Sequence, residues 1–393
     1  MFSRRLCWTA GENPLAALER ERRSGGAGLL DLTVTNPTQV GLPYPDDALA
    51  AALSDPAIGR YDPSPLGPLA ARVAVAAEYA RLGAEVSPAA VALTASSSES
   101  YALLFKLLCD PGDVVLVPQP SYPLVDDLAR LEGVEPRPYR LAFDGQWHID
   151  SGSLDLEGAR ALVVVSPNNP TGSFLRRSDL ARLAALAAER DLALICDEVF
   201  ADYALAPAAD AVRTVAAEPP AGALAFCLGG LSKSCGLPQM KLGWITAVGS
   251  PALVAAALAR LELALDTYLS VGTPVARALP RLLSLGADIR RAIADRVSAN
   301  RAGIAAALGP ASPCTLLPAE GGWTAILRVP AVLSDEDWAL TLLASDDVLV
   351  QPGYFFDLTG LGATLVLSLL TPPAELLEGV RRLLARVAVQ LRT

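Results

Sequence analysis

The chain has 393 residues, of which 52% are hydrophobic and 19% charged, so it can bury a large core and build two or three domain-sized units. A net charge of −10 and a pI near 4.8 argue against nucleic acid or an anionic membrane surface as partner, because both require a positive field. Mean hydropathy is +0.36, yet apolar stretches such as 252–265 are interrupted by Arg260 and Glu262, so no membrane span is expected. No signal-peptide core follows Arg4 and Arg5, and we expect a cytoplasmic protein.

The elements are predicted in chain order from hydrophobic periodicity. An N-terminal arm carries a helix at about 14–23 and a short strand at 29–34. Helical stretches then alternate with short apolar strands; the helices are at 66–82, 98–108, 123–131 and 178–190, and the strands at 114–117, 162–165, 192–196, 224–228 and 242–248. This alternation predicts a mainly parallel sheet with helices on both faces.

The last part of the chain has a different pattern. Helices spanning about 274–308 are followed by short strands at 324–329, 348–350 and 364–369 and by an amphipathic helix at about 374–391. We therefore predict an α/β protein with three parts: an arm at 1–45 that contributes to the small domain, a large domain at 46–272, and a small α+β domain at 273–393.

Metal chemistry is not expected. The six cysteines include no Cys-x-x-Cys pair, and His148 is the single histidine, so the sequence predicts no zinc site of thiolates and imidazoles.

Three polar signals each follow a predicted strand. Asn169 lies in Asn-Pro-Thr-Gly after the strand at 161–166, Asp197 ends the strand at 192–196, and Lys233 follows the strand at 223–228. Strand ends of open α/β sheets are where ligands bind. An amine, a carboxylate and a carboxamide suit a pyridine aldehyde cofactor: the amine forms a Schiff base, the carboxylate keeps the ring nitrogen protonated, and the amide orients the phenolic oxygen. Taken singly, Lys233 is also compatible with a surface turn, and Asp197 with a helix N-cap.

Together these motifs resemble the aminotransferase class I/II family, the fold-type I pyridoxal phosphate enzymes, from Asn36 to Ser368. The resemblance implies a large domain with a mainly parallel seven-stranded sheet between helices, a smaller α+β domain, and a homodimer with shared active sites. It implies that Lys233 forms the Schiff base with pyridoxal 5'-phosphate and moves the substrate proton, with Asp197 at the ring nitrogen and Asn169 at the phenolic oxygen.

The resemblance also implies the rest of the cofactor site. The loop after the strand at 91–93 would bind the phosphate, although Ser98 and Glu99 are also ordinary capping residues. Tyr122 would stack on the ring, unless it is a core aromatic, and Tyr61 would reach the partner subunit's phosphate. The residues assigned to the cofactor are Ser96, Ser97, Tyr122, Asn169, Asp197, Ser232, Lys233, Lys241 and Tyr61.

The phosphate cation and the phenolic-oxygen donor depart from the family pattern. Lys241 stands where arginine is usual, which gives up the bidentate fork. Phe200 replaces a tyrosine that donates to the phenolic oxygen, and Tyr203 is close in sequence but three residues away.

A further departure concerns the substrate carboxylate. Val366 occupies the position of the arginine that usually binds it. Either Asn36, Asn169 and backbone amides hold the carboxylate, with Arg60 and Arg328 as further candidates, or the substrate is not an ordinary α-amino acid.

The predicted substrate wall is aromatic and largely uncharged. It comprises Asn36, Asn169, Trp323 and Tyr354, with Gln351 and Phe355 nearby. This favours an aminotransferase that moves an amino group between an apolar or aromatic amino acid and a 2-oxo acid. The alternatives are a pyridoxal phosphate-dependent lyase, decarboxylase or oxidase, and a cofactor-binding regulator without chemistry.

Overall fold

The computed structural model describes residues 3, 5, 11, 13–61 and 63–392, so Cys7 and Arg4 lie outside the described residues. The strands are β1 (Leu30–Asp31), β2 (Val91–Thr94), β3 (Val114–Gln119), β4 (Glu135–Phe143), β5 (Trp147–Ile149), β6 (Ala159–Val165), β7 (Ala193–Asp197), β8 (Leu224–Gly230), β9 (Gly243–Gly249), β10 (Thr315–Leu316), β11 (Thr324–Arg328), β12 (Val348–Leu349), β13 (Gln351–Pro352) and β14 (Thr364–Ser368). The helices are α1 (Pro14–Ser24), α2 (Asp46–Ala52), α3 (Leu69–Arg81), α4 (Ser97–Leu108), α5 (Leu124–Glu132), α6 (Arg177–Arg190), α7 (Leu231–Ser234), α8 (Pro251–Tyr268), α9 (Thr273–Leu308), α10 (Asp335–Asp346) and α11 (Pro373–Gln390).

One large mixed sheet dominates the fold. Its strand order is β2-β9-β8-β7-β6-β3-β4-β5, and the pairs from β8 to β4 are parallel. β9 is antiparallel to both of its neighbours. β5 pairs only with the end of β4 and adds a short eighth strand to the seven that were predicted. The carboxyl ends of β3, β6, β7 and β8 therefore share one edge.

Helices cover both faces of this sheet, as the continuous apolar strands predict. On one face, strand residues such as Ile195 and Phe226 pack in a buried cluster with Leu104 of α4 and Leu261 of α8. On the other face, strand residues such as Leu194 belong to a second cluster, which includes residues of α3, α6 and α9. Burial on two faces explains why the central strands carry apolar side chains without alternation.

A second, antiparallel sheet forms from the C-terminal part of the chain. Its order is β10-β11-β14-β13, and Ala325 to Leu327 pair with Leu365 to Leu367. The N-terminal arm joins this region, because β1 pairs in parallel with β12. The predicted divisions at 45/46 and 272/273 stay predictions. Among the described residues, no helix has the length and hydropathy needed to cross a membrane, and no cluster of His, Cys, Asp or Glu is arranged to hold a metal ion.

Candidate active site

Three neighbouring strands bring the main polar residues to one edge of the large sheet. Asp197, the last residue of β7, is in register with Val165 of β6 on one side and with Leu228 of β8 on the other. Asn169 follows β6 in sequence, and Lys233 lies in α7, directly after β8. The sequence therefore predicted the correct edge for all three residues.

Lys233 has an apolar, aromatic environment. Its Nζ is 5.0 Å from the centroid of the Trp323 ring and 5.6 Å from that of Phe200. Those two rings meet edge to face, with their centroids 5.3 Å apart. Burial lowers the pKa of the Lys233 amine, and the charge of Asp197 opposes this shift. A lowered pKa increases the fraction of neutral amine, which is the nucleophilic form.

Asp197 is held by two neutral donors. Tyr101 Oη donates to Oδ2 at 2.9 Å, and the backbone N–H of Val199 donates to Oδ1 at 3.2 Å. Burial raises the pKa of Asp197, whereas these two hydrogen bonds and the charge of Lys233 lower it. Within the described chain Asp197 forms no ion pair. A cation placed beside this carboxylate would therefore be strongly favoured.

The N-terminus of α4 lies at the same edge of the sheet. Ser96 is its N-cap: Ser96 Oγ accepts from Glu99 N at 3.1 Å, and Ala95 N donates to the Glu99 carboxylate at 2.6 Å. The capping alternative named Ser98 and Glu99; Glu99 does take part, but the N-cap is Ser96, and Ser98 lies inside the helix. The positive end of the helix dipole remains directed outward past Ser97, which favours an anion.

Lys241 precedes the start of β9, which approaches this corner, and Ser232 lies in α7 beside Lys233 in sequence. Gly243, two residues after Lys241, pairs with Thr94 and with Gly230, and a side chain at Gly243 would come within 3.0 Å of the Ser96 backbone. Lys241 is exposed and adopts the left-handed region with φ 48°. Among the described residues its amine forms no hydrogen bond or ion pair, so its charge is available to a ligand.

The Asn169 turn is braced from the second sheet. Thr324 Oγ1 donates to Pro170 O at 3.1 Å and approaches Asn169 Oδ1 at 3.5 Å. Tyr122 is 51% exposed, and its ring centroid is 6.3 Å from that of Phe356. The brace by Thr324 and the contact with Phe356 were not predicted, because neither position belongs to a recognisable motif.

Tyr203 does not replace the hydroxyl missing at Phe200. Its Oη donates to the backbone carbonyl of Lys233 at 2.6 Å. Phe200 is nine-tenths buried and packs against Trp323. It therefore contributes an apolar surface at the position where the resemblance implies a hydrogen-bond donor.

In the described part of the chain, the two arginine candidates, Arg328 and Arg60, lie elsewhere than beside Val366. Val366 is buried, 1% exposed, between Ile326 and Gln351. Arg328 lies at the opposite end of β11 from Thr324, and Arg60 lines a surface groove with Tyr61, which is 76% exposed.

The predicted substrate residues have different environments. Trp323 is 2% exposed, and its buried Nε1 has no hydrogen-bond partner among the described residues. Asn36 Oδ1 accepts from Thr38 N and Oγ1, which leaves its amide nitrogen available. Tyr354 is 39% exposed. Its Oη donates to the Glu336 carboxylate and accepts from Asn13 Nδ2, so its hydrogen bonds are not with Lys233.

Comparison with known proteins decides the family. The aminotransferase class I and II model matches residues 30–383. The chain belongs to the aminotransferase class I and II family. Members of this family use pyridoxal 5'-phosphate as cofactor.

Relatives and solved structures are more distant. Human tyrosine aminotransferase is 30% identical over 55% of this chain and 48% of its own length. An S-alkyl-thiohydroximate lyase from Arabidopsis thaliana is 29% identical over 61% of this chain and 52% of its own length. The chain thus spans about half the length of the curated relatives it matches. Alanine aminotransferase from Pyrococcus furiosus superposes with a TM-score of 0.86 at 23% identity, covering 99% of this chain and 100% of that one. This likeness shows the fold.

The residues at the sheet edge fit the family's cofactor. A buried carboxylate with no ion pair suits a pyridinium nitrogen, and a buried amine of lowered pKa suits an aldehyde. The N-terminus of α4 suits a phosphate, and the exposed Lys241 is available as its cation.

Proposed function

We propose that this protein is a pyridoxal phosphate-dependent aminotransferase, a cytoplasmic homodimer that moves an amino group from an apolar or aromatic amino acid to a 2-oxo acid. The observation that carries the proposal is the Lys233 amine, enclosed by Trp323 and Phe200 and electrostatically coupled to Asp197 at the neighbouring strand end.

Each residue would have a defined task in holding the cofactor. Lys233 would attach it, Asp197 would face its ring nitrogen, and Asn169 and Tyr122 would orient the ring. Ser96, Ser97, Ser232 and Lys241 would bind the phosphate, and Tyr61 would reach it from the other subunit. When bound, pyridoxal phosphate supplies the electron sink that stabilises a carbanion at the substrate carbon.

The chain's own residues would control the proton. Once the donor amine has displaced it from the cofactor, the neutral Lys233 Nζ would accept the proton from the donor's α-carbon and pass it to the former aldehyde carbon of the cofactor. Trp323 and Phe200 exclude water from the amine, which keeps its pKa low. Asp197 would remain ionised because a cation beside it outweighs its burial.

The donor side chain is inferred from the charges available. Trp323 and Phe200 lie against the Lys233 amine and the charge that acts on it is that of Asp197, so this environment offers a second carboxylate no cation. Phenylalanine, tyrosine and leucine should react with a kcat/KM at least about tenfold above that of aspartate.

The missing arginine has a measurable consequence. Removing one partner of a buried ion pair between arginine and a carboxylate typically weakens binding 30-fold or more, which is about 2 kcal/mol or above. With buried Val366 in that position, replacing the donor's carboxylate by a primary amide should lower kcat/KM by less than about tenfold.

A second candidate is a lyase, decarboxylase or oxidase using the same cofactor. It is favoured by the buried Val366, because the usual device for fixing the carboxylate is absent.

One experiment separates the two candidates. Purified protein loaded with cofactor is given a single amino acid, with and without a 2-oxo acid, and all products are quantified. An aminotransferase forms one new amino acid per 2-oxo acid consumed and stops after one half-reaction without an acceptor. Sustained release of ammonia, carbon dioxide or hydrogen peroxide without an acceptor would establish the second candidate instead.

The homodimer is supported by the surface around Tyr61. A groove of about 620 Å³ is lined by Arg60, Tyr61 and Leu69, among others. Tyr61 and Leu69 are 76% and 61% exposed, and Leu263 and Tyr268 of α8 are 71% and 55% exposed. Large apolar side chains exposed in this number suit burial against a second copy of the chain.

A further inference from the structure

The turn that carries Lys233 has little intrinsic stability. Helix α7 has 4 residues, fewer than a helix needs to be stable alone. Ser234 Oγ donates to Gly230 O at 2.9 Å and closes the turn locally. The turn ends at Gly236, whose φ of 62° lies in the left-handed region. The position of the amine therefore depends on contacts from other parts of the chain.

Tyr203 supplies such a contact on the backbone of Lys233 itself. Its Oη donates to Lys233 O at 2.6 Å, and the side chain is 1% exposed. Its ring also packs edge to face on Trp323, with the centroids 5.0 Å apart. Since Trp323 in turn lies 5.0 Å from Lys233 Nζ, one tyrosine supports both the main chain of Lys233 and the wall beside its amine.

The backbone of Tyr203 is fixed by the segment that carries Trp323. Gly322 N donates to Tyr203 O at 2.9 Å, and Ala204 forms an antiparallel bridge with Gly321. A side chain at Gly321 would lie 2.8 Å from Tyr203 O, so this close approach requires glycine. Tyr203 is therefore positioned before any ligand binds.

Tyr44 makes the corresponding contact three residues beyond Lys233. Its Oη donates to Gly236 O at 2.7 Å. A side chain at Gly236 would come within 2.8 Å of Ile293 and 3.1 Å of this hydroxyl, so the turn is packed closely around the bond. Two tyrosine hydroxyls from distant parts of the sequence thus hold two carbonyls of one short turn.

We propose that Tyr203 and Tyr44 are positioning residues that clamp the Lys233 turn and keep the amine between Trp323 and Phe200, opposite Asp197. The proposal rests on the function proposed above for Lys233. It gives Tyr203 a task different from that of the tyrosine expected at position 200: its hydroxyl acts on the lysine backbone. Tyr203→Phe keeps the ring packing on Trp323 and removes only this hydrogen bond, which makes it the informative change.

The first measurement follows the amine in cofactor-free protein. The lysines of the chain are Lys106, Lys233 and Lys241, so acetylation with acetic anhydride followed by peptide mass spectrometry resolves each of them. The pH dependence of the Lys233 rate gives its pKa, with the other two as internal references. Burial lowers the pKa of Lys233, and the charge of Asp197 raises it by a smaller amount. Releasing the turn in Y203F should admit water and raise the pKa by about half a unit or more.

The second measurement is the split between kcat and KM in the loaded enzyme. A misplaced amine should lower kcat about tenfold in Y203F while KM stays within about twofold, because the donor's contacts are unaltered. Y44F should shift both readouts in the same direction by less, since it acts on Gly236.

The matched control is Tyr139→Phe. Tyr139 is 2% exposed and, like Tyr203, donates to a backbone carbonyl, Val163 O at 2.9 Å, but it lies on β4, three strands from β7. Y139F should leave the Lys233 titration and kcat unchanged. The proposal is overturned if Y203F and Y139F give the same Lys233 pKa, or, should Y203F not fold, if Y44F leaves that pKa unchanged. A shifted pKa in Y203F together with a wild type that does not transaminate supports the clamp and rejects the proposed function.

Discussion

Tyr101 donates a hydrogen bond from its phenolic oxygen to Asp197 Oδ2 at 2.9 Å, and the tyrosine is 1% exposed. The two residues are 96 positions apart and lie on α4 and β7. Burial raises the pKa of Asp197, while the N–H of Val199 and then this phenol lower it. Tyr101 therefore stabilises the ionised carboxylate, which is the form that a cationic ring requires.

Tyr101→Phe should raise the pKa of Asp197 and weaken its hold on the ring nitrogen. We expect cofactor affinity to fall several-fold and kcat/KM to fall about tenfold, the loss of one hydrogen bond to a charged group. Asp197→Asn should be more severe, at least about 100-fold in kcat/KM. Cofactor titration and steady-state kinetics measure both effects. Tyr79→Phe is the control, because Tyr79 is buried and faces Cys227 O at 3.5 Å; equal results for Y101F and Y79F would contradict the assignment.

Lys241→Met should weaken cofactor binding by removing the phosphate cation. Lys241 is exposed, close in sequence to Gly243, which packs on Ser96, and has no recorded polar partner among the described residues. A charge-assisted phosphate contact is worth about 1.5–3 kcal/mol, so Kd should rise about 10- to 100-fold. Lys241→Arg should keep wild-type affinity or improve it.

The control for Lys241 is Lys106, which pairs with Glu132 on the surface. Lys106→Met should leave the cofactor Kd unchanged in a tryptophan-quenching titration. A Lys241→Met protein that binds the cofactor like wild type would rule out Lys241 as the phosphate cation.

A shared active site predicts complementation between two defective chains. If Tyr61 acts on the other subunit's site, a hybrid of Lys233→Ala and Tyr61→Ala chains contains one site with both residues intact. Random mixing should then recover about a quarter of wild-type activity, because half of the dimers are hybrids with one working site of two. Activity of the mixture equal to the mean of the two separate variants would show that Tyr61 does not act across the interface.

The sequence predicted that the candidate residues share one edge of the sheet, because each of them follows an apolar run. Asp197 directly follows Leu-Ala-Leu-Ile-Cys, and Lys233 follows the apolar run that ends before Gly229. The same pattern therefore marks both the end of each strand and the polar residue beyond it. Tyr101 could not be found in this way. Its contact with Asp197 depends on how α4 packs across the sheet, which no local pattern encodes.

Strand β4 was missed for a physical reason. Pro136 and Pro138 argue against a strand, because proline cannot donate to the ladder. In the structure these two residues pair with Val115 and Val117 of β3, while β5 pairs only with Leu141 to Phe143. The prolines therefore lie where β4 has a neighbour on one side only, and the missing donors leave no partner unsatisfied.

Glu198 should make stability depend on pH. Burial raises its pKa from 4.5 to about 7, against the hydrogen bonds donated by Val215 N and Thr214 Oγ1. The folded state therefore keeps a proton that the unfolded chain has already lost between pH 4.5 and about 7. Stability contributed by Glu198 is full below pH 4.5 and is lost as the pH rises through about 7.

Glu198→Gln removes this group from the titration. The free energy of unfolding of wild type, relative to E198Q, should fall by up to about 3 kcal/mol across that interval. Urea unfolding of both proteins from pH 4.5 to 8 measures the difference. A difference that stays constant with pH would contradict the raised pKa.

Arg290 should contribute strongly to stability, whereas its neighbour Arg291 should not. Arg290 on α9 is 8% exposed and bonds through Nη1 to Glu78 of α3 at 2.8 Å and to Asp202 at 3.4 Å. The side chains of Glu78 and Asp202 are 19% and 7% exposed. In Arg290→Met they would keep Arg81 as their ion-pair partner.

Removing one member of a buried ion pair costs about 3–5 kcal/mol, and the remaining Arg81 places the expected loss at the lower end, about 3 kcal/mol. Arg291→Met is the matched control one position along the same helix. Its pair with Asp288 is 72% and 85% exposed, so the change should stay within about 0.5 kcal/mol. Urea unfolding at pH 7 compares the two variants. Equal stability of the two variants would mean that the ion pairs of Arg290 with Glu78 and Asp202 do not stabilise the fold. The contact between α3 and α9 would then depend on apolar packing alone.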